Sequence, residues 1–117
     1  MTMAWLIGNK KYDEVRNAGH PKILDLDQVP LDIKNMTNFF QKICFDKVII
    51  TEDANEGQVT KVYNEIREIL KAANKSTDTE VLLYTYYSGH GVMDTTTKIV
   101  LNESAEQDRY FALEQKL

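Results

Sequence analysis

The sequence predicts an α/β fold in which a mostly parallel β-sheet is covered by helices. Three short apolar segments, residues 3–7, 47–51 and 80–88, have the character of buried strands. Two amphipathic segments with apolar residues three or four positions apart lie between them. Because strands and helices alternate, and because the strands are apolar on both faces, parallel pairing beneath helical layers is favoured.

The first strand, residues 3–7, is a continuous apolar run that ends at the turn-forming pair Gly8 and Asn9. Residues 9–29 mix charged and turn-forming residues without a regular period, so we expect a long loop there.

A helix is predicted over residues 30–43, because Pro30 suits the first helical turn, where its missing N–H costs nothing. One face of this helix is apolar and carries Ile33, Met36, Phe40 and Ile43. The second strand follows at residues 47–51 and is rich in β-branched side chains.

The longest predicted helix begins after Asn55, which forms a capping-box pattern with Gln58, and its apolar face continues to Ala73. A polar turn then leads into the third strand, residues 80–88 (EVLLYTYYS). A short fourth strand is expected at residues 98–101. A final helix is expected to be capped by Asp108 and to place Phe111, Leu113 and Leu117 on one face.

Composition places the chain among ordinary globular proteins. Its 117 residues, 43% hydrophobic and 27% charged, predict one domain over residues 1–117. The formal net charge is −4 with the two signs mixed, so no basic face for nucleic acid is expected. No apolar run approaches the ~18 residues of a membrane span, and residues 1–7 lack the pattern of a secretory leader.

Cys44 is the single cysteine, so no disulfide can form within the chain and a reducing compartment, the cytoplasm, is expected. Its place at the apolar end of a predicted helix indicates a small buried hydrophobic residue rather than a nucleophile.

His90 is the strongest candidate for a catalytic residue. It lies between Gly89 and Gly91 directly after the third predicted strand, and sites in parallel sheets form at the carboxyl ends of strands. An imidazole there can take and return a proton near neutral pH, and the N–H of Gly91 can face a developing oxyanion. The Gly-His-Gly spacing alone is a weak signal and favours a tight turn with an exposed histidine.

Three segments together resemble the caspase, paracaspase and metacaspase superfamily. The motif YYSGHG at residues 86–91, led by an apolar strand, is similar to the histidine motif of that superfamily. Leu6 to Tyr12 resembles the first strand and turn of paracaspases and metacaspases, and Val29 to Met36 resembles their first helix, which the strand ending at Ile50 follows. The segments occur in family order and cover nearly the whole chain.

The resemblance implies a three-layer α/β/α caspase-like sandwich, here incomplete, and peptide hydrolysis by a Cys–His dyad. His90 matches the histidine and Gly91 matches the donor of an oxyanion-binding N–H. The nucleophilic Cys of caspases lies about 50 residues after the His, which falls near residue ~140 and past Leu117. We therefore expect this chain alone to be inactive as a peptidase. The alternatives are a non-catalytic caspase homologue that acts as a regulatory or scaffold partner, and an unrelated α/β binding domain.

Asp32 matches an acidic position of paracaspases and metacaspases that helps to form the pocket for a basic P1 side chain. A carboxylate suits Arg there through a two-pronged contact. The alternative is an acid favoured in the first helical turn by the helix dipole. Asp25 and Asp27 are nearby acids that can contribute, whereas nothing matches Arg16 to the P1-binding arginines of true caspases.

No cofactor or metal is expected from the residues themselves. Many metacaspases are activated by calcium, but nothing in this sequence fixes a calcium site. The expected partners are a protein or peptide substrate and either the remainder of the caspase-like domain or a second copy of the chain, with neither nucleic acid nor a membrane.

Overall fold

The computed structural model describes residues 1–75, 80–93 and 97–112. No helix within those ranges is both long and apolar enough to cross a membrane. In chain order the elements are β1 (Thr2–Gly8), α1 (Asp13–Asn17), α2 (Val29–Lys42), β2 (Lys47–Glu52), α3 (Glu56–Asn74), β3 (Leu82–Ser88), β4 (Gly91–Met93), β5 (Thr97–Val100), α4 (Glu106–Arg109) and β6 (Tyr110–Ala112).

The predicted parallel sheet is confirmed, with β1 at its centre. The strand order is β2-β1-β3, and β1 pairs in parallel with both neighbours. The register places Gly8 opposite Glu52 on one side and opposite Ser88 on the other. All three strands therefore end at the same edge of the sheet.

The two faces of β1 serve two separate cores, because successive strand residues point to opposite sides. Met3, Trp5 and Ile7 pack against α3. Ala4 and Leu6 pack instead against the buried face of α2, formed by Val29, Ile33 and Phe40. The sheet is thus covered by a helix on each face, as the alternating sequence pattern predicted, and this agrees with the α/β/α layering that the resemblance implies.

A second, antiparallel sheet of order β4-β5-β6 packs on the α3 side. Ile99 belongs to the same core cluster as β1 and α3, and the ring of Phe111 meets that of Tyr63 at 6.0 Å.

The predicted final helix is wrong where the structure describes it. Asp108 lies inside the four-residue α4 and does not cap a helix that continues. The chain then forms β6, in which Tyr110 pairs with Val100 and Phe111 with Ile99. A buried helix segment and a buried strand cannot be told apart by so short an apolar run. The other predicted positions of that helix, residues 113 and 117, lie outside the described residues, as does most of the predicted turn at residues 74–79.

The predicted loop over residues 9–29 contains the short helix α1. The N–H groups of Glu14 and Val15 in its first turn donate hydrogen bonds to the side-chain oxygen of Asn102, at 2.8 Å and 3.3 Å. Because this cap comes from a residue far along the chain, no local sequence signal marks the helix.

Cys44 is exposed, so its predicted burial is wrong. It follows α2 in the left-handed region with φ 62°. Its N–H donates to the Gln41 carbonyl, and the N–H of Phe45 donates to the Phe40 carbonyl. This hydrogen-bond pair is the Schellman arrangement that ends helices. Ile43, predicted on the apolar face, is also half exposed because α2 ends there.

Candidate functional site

The candidate site lies at the carboxyl edge of the parallel sheet, where β1 and β3 end side by side. His90 follows β3 by two residues, as predicted. Asp32 lies in the first turn of α2 and is brought to the same edge, where the Ser88 hydroxyl donates a 2.8 Å hydrogen bond to its carboxylate. The close approach of α2 depends on Gly8, since a Cβ there would lie 2.6 Å from the Ile33 side chain.

The imidazole of His90 is partly exposed and oriented by two contacts. Its Nε2 lies 2.8 Å from the carbonyl oxygen of Leu24. Because a carbonyl only accepts, Nε2 carries the proton and Nδ1 of the neutral ring is left as the basic nitrogen. The ring also meets that of Tyr12 edge-on at 4.6 Å. The imidazole is therefore fixed with Nδ1 able to accept a proton.

The main chain of His90 is held at both of its polar groups. Its N–H donates to the Tyr12 hydroxyl at 2.8 Å. Its carbonyl accepts from the Tyr87 hydroxyl at 2.6 Å and from the Val100 N–H at 3.0 Å.

Gly91 begins β4 and is exposed. In an antiparallel ladder, hydrogen-bonded residue pairs alternate with pairs that exchange no hydrogen bonds. The Val100 N–H donates to the His90 carbonyl, so His90 and Val100 form a hydrogen-bonded pair, and the next pair, Gly91 and Ile99, exchanges no hydrogen bonds. The N–H of Gly91 consequently points away from β5, towards the open side where an incoming oxygen could be bound.

Position 89 has no room for a side chain, so it must be glycine. A Cβ built there would collide with the Tyr87 hydroxyl and would lie 2.7 Å from that of Tyr12. The Gly of the sequence motif thus leaves room for the two hydroxyl groups that hold His90.

A family model described as the caspase domain matches residues 1–113 of the chain. The chain belongs to the caspase domain family. Comparisons with curated proteins and with solved structures gave no match. Membership places the chain in a family of the cysteine-peptidase kind and agrees with the incomplete α/β sandwich described above.

Cys44 of this caspase domain lies at the opposite edge of the sheet from His90. It precedes the first residue of β2, whereas His90 follows the last residue of the parallel strand β3. The six residues of β2 alone separate the two edges by roughly 20 Å. The single thiol of the printed sequence is therefore not brought to the imidazole.

Tyr12 and its hydrogen-bond partners hold the candidate site of this caspase domain in place, although the sequence pattern did not predict this role for them. Tyr12 is fully buried, and its N–H donates at 2.8 Å to Asp25, which also receives the Arg16 guanidinium at 2.7 Å. These two hydrogen bonds, that of Arg16 first, lower the pKa of the Asp25 carboxyl. Tyr12 lies within the segment that resembles the family, but an aromatic residue in a loop gives no sign of a polar role.

Asn9 links the two sheets of the caspase domain. Its main-chain N–H donates to the Ser88 carbonyl at 2.9 Å and its side-chain amide donates to the Val100 carbonyl at 3.2 Å. The sequence marked Asn9 only as a turn residue, whereas the structure buries it almost completely.

The acidic side chains around the site differ in their hydrogen bonds and ion pairs. The carboxylate of Asp25 pairs with Arg16, and that of Asp53 accepts the N–H groups of Lys10 and Lys11. Asp27 is nearly fully exposed and lies 3.8 Å from the Lys10 ammonium. The described residues contain no group of three or more His, Cys, Asp or Glu that could hold a metal ion.

Proposed function

We propose that this caspase domain contributes the histidine half of the Cys–His dyad of an endopeptidase of the paracaspase or metacaspase kind. The observation that carries the proposal is the orientation of the His90 imidazole: its Nε2 is engaged by the Leu24 carbonyl at 2.8 Å, which leaves Nδ1 as the basic nitrogen at the carboxyl edge of the sheet.

In the proposed reaction, Nδ1 of His90 takes the proton of a cysteine thiol, and the thiolate attacks the carbonyl carbon of the scissile peptide. The resulting oxyanion accepts a hydrogen bond from the N–H of Gly91. As the C–N bond breaks, the imidazolium returns the proton to the leaving amine, and water then hydrolyses the acyl-enzyme.

The nucleophile in this proposal is not Cys44, because the sheet separates that thiol from His90. By the family spacing it belongs to a segment about 50 residues after the histidine, outside the printed residues.

Asp32 is proposed to bind the basic P1 side chain of the substrate. Among the acids at this end of the chain's sheet, Asp25 and Asp53 are engaged by Arg16 or by main-chain N–H groups. Within the described residues, the carboxylate of Asp32 instead accepts the neutral hydroxyl of Ser88. Its carboxylate forms no ion pair with another described side chain and lies at the same edge of the sheet as the proposed catalytic histidine, which suits the cation of Arg or Lys.

The role of His90 is tested by His90→Ala in the full-length protein with fluorogenic peptides that carry Arg, Lys or Asp at P1. Loss of the proton shuttle should lower kcat/KM by about 10²–10⁴-fold. Cys44→Ala is the matched control and should leave kcat/KM unchanged. Full turnover by His90→Ala, or loss of turnover in Cys44→Ala, would contradict the assignment.

The role of Asp32 is tested by Asp32→Asn, which keeps the shape of the side chain and removes its charge. Hydrolysis of Arg-P1 peptides should weaken relative to peptides with a neutral P1, mainly through KM. The control is Glu65→Gln, which removes the charge of an exposed acid on α3 outside the candidate site. An unchanged ratio in Asp32→Asn would assign the carboxylate to the helix terminus instead.

The rival proposal, a non-catalytic regulatory partner, has one observation in its favour: the thiol of the described chain cannot reach His90. A peptidyl chloromethyl ketone with Arg at P1 separates the two. Covalent labelling of a cysteine in the full-length protein that depends on His90 supports the enzyme, and absence of labelling supports the partner.

A further inference from the structure

Two tyrosine hydroxyls and the main-chain N–H and carbonyl of His90 form a closed ring of hydrogen bonds. The His90 N–H donates to the Tyr12 hydroxyl at 2.8 Å, the two tyrosine hydroxyls lie 3.3 Å apart, and the Tyr87 hydroxyl lies 2.6 Å from the His90 carbonyl. We call this set the tyrosine circuit; it consists of Tyr12, Tyr87 and the main chain of His90.

The direction of each bond in the tyrosine circuit follows from what each group can do. The His90 carbonyl can only accept, so Tyr87 uses its single hydroxyl proton there. The His90 N–H can only donate, so the Tyr12 oxygen is its acceptor. The one remaining proton, on Tyr12, must therefore point at the Tyr87 oxygen. Each hydroxyl then donates once and accepts once around the ring, an arrangement in which neighbouring bonds strengthen one another.

Both hydroxyls remain protonated over the neutral range. Burial raises the pKa of Tyr12 and raises that of Tyr87 further. Titration of the two hydroxyls therefore does not disturb the tyrosine circuit around neutral pH.

The circuit also sets the direction of the Gly91 N–H. The His90 carbonyl and the Gly91 N–H belong to one peptide unit, and the described chain has no cis peptide bond. In a planar trans peptide these two groups point in opposite directions. Because Tyr87 and Val100 fix the carbonyl, they also fix the N–H on its far side.

We propose that Tyr12 and Tyr87 are positioning residues that aim two groups at once, the imidazole of His90 and the N–H of Gly91. This inference rests on the proposed function for its catalytic consequence, but its structural content does not. Tyr12 acts on the imidazole both through the main chain and by its edge-on ring contact, and Tyr87 acts on the peptide that carries the Gly91 N–H.

The two tyrosines differ in what their loss leaves behind. In Tyr12→Phe the ring contact stays, but the His90 N–H loses its acceptor. In Tyr87→Phe the His90 carbonyl keeps the bond from Val100, so the peptide is held less firmly but not released. We therefore expect the larger effect from Tyr12→Phe. The matched control is Tyr84→Phe on the same strand as Tyr87, because Tyr84 is half exposed and lies outside the circuit.

The first measurement needs no peptidase activity. In ¹⁵N-labelled protein, hydrogen exchange of the His90 amide should quicken about 3- to 10-fold in Tyr12→Phe, the effect of one ordinary hydrogen bond. Because a loosened His90 main chain should also weaken the contact of Nε2 with the Leu24 carbonyl, the nitrogen shifts of His90 should move towards a mixture of the two tautomers. Tyr84→Phe should change neither. A His90 amide that stays protected, with the same tautomer, in folded Tyr12→Phe would overturn the proposal. If that variant does not fold, Tyr87→Phe decides instead: the Gly91 amide shifts should move, because the carbonyl of the same peptide loses a donor, and unchanged shifts would overturn the proposal.

The second measurement uses turnover by the full-length protein. Because the hydroxyls of both tyrosines are bonded to the main chain of His90, their proposed role is to aim reacting groups rather than to bind the peptide. Tyr12→Phe and Tyr87→Phe should therefore lower kcat while KM stays within about twofold. A changed KM with unchanged kcat would overturn the positioning role. If wild type has no turnover, the proposed function fails, and the exchange and tautomer measurements alone decide whether the circuit positions His90.

Discussion

Cys44 illustrates how backbone conformation at one residue decides where a side chain lies. It takes φ 62° to end α2, and this position places its thiol in solvent even though the neighbouring residues are apolar. The adjoining contact is typical of a helix end, since the ring of Phe45 packs on that of Phe40 at 4.7 Å. The left-handed region costs a residue with a Cβ about 1–2 kcal/mol.

Cys44→Gly should therefore stabilise the protein, because glycine adopts this conformation without strain. After allowance for the greater freedom of glycine in the unfolded chain, a gain of up to about 1 kcal/mol is expected in urea unfolding. Lys34→Gly, at an exposed position in the interior of α2, is the control and should lose about 0.5–1 kcal/mol. A loss of stability in Cys44→Gly comparable to that control would contradict the cap.

The buried tyrosines predict a specific alkaline limit of stability. Burial raises the pKa of Tyr12 and Tyr87 in the folded state above the ordinary value of 10.0. Their contribution is thus complete below pH 10, and it is lost above that pH because the unfolded chain releases these protons first. Each tyrosine should lower the free energy of unfolding by at most about 1.4 kcal/mol per pH unit there.

Urea unfolding between pH 8 and pH 12 measures this slope, and Tyr87→Phe should make it shallower. Tyr84→Phe, with its half-exposed side chain, should leave the slope as in wild type. Equal slopes in wild type and Tyr87→Phe would be inconsistent with a buried, protonated hydroxyl at that position.

At the scale of elements, local signals were sufficient for some segments and not for others. The capping box of Asn55 and Gln58 predicts the start of α3, and both reciprocal bonds are present. The helix α1 was missed because its cap is Asn102, and β4 was missed because three residues carry too little pattern to reveal a strand. Elements stabilised by their own sequence are predictable, whereas those completed by distant residues are not.

Asn102→Ala tests the distant cap of α1. The variant removes the acceptor for the Glu14 and Val15 N–H groups and the donor to Asp13, so unfolding should cost about 1 kcal/mol less. Asn64→Ala, at an exposed position within α3, should be neutral or stabilising. If both variants unfold at the wild-type urea concentration, the cap contributes nothing to stability.

The candidate site divides in the same way. His90 and Gly91 were predicted from a short motif and Asp32 from the family resemblance, and the structure places His90 and Asp32 at the same edge of the sheet, while the roles of all three stay predictions. Tyr12, Tyr87 and the Leu24 carbonyl were not assigned to the site, because they reach His90 only through tertiary hydrogen bonds. The Leu24 carbonyl in particular could not be predicted, because every residue has a main-chain carbonyl and the residue type does not show which one contacts His90.

At the scale of the whole molecule, the parallel sheet is open along β3. Among the described residues, β3 pairs only with β1, and its Leu82 and Tyr84 side chains are more than half exposed. Unpaired N–H and C=O groups beside large side chains favour the addition of another strand. The remainder of a caspase domain or a second copy of this chain could supply it.

The 117-residue chain should therefore associate with itself in solution. Sedimentation across a concentration series should give a weight-average mass that rises with concentration, because an edge strand pairs more as copies become abundant. Tyr84→Lys places a charge on this strand and should shift the curve towards monomer, while the control Lys61→Ala on α3 should not. If the wild type stays monomeric throughout the series and unfolds cooperatively on heating, the chain forms a stable core without an added strand, which would contradict this prediction.

The central place of β1 has a consequence for the newly made protein. This strand, almost completely buried when folded, leaves the ribosome before either of its neighbours, and its β3 partners lie 80 residues later in the chain. At about 5–20 residues per second, roughly 4–16 s pass between synthesis of the two strands. During that interval a strand that is almost completely buried in the folded protein has no partner strands, so we expect chaperones that bind exposed hydrophobic strands to recognise the nascent chain.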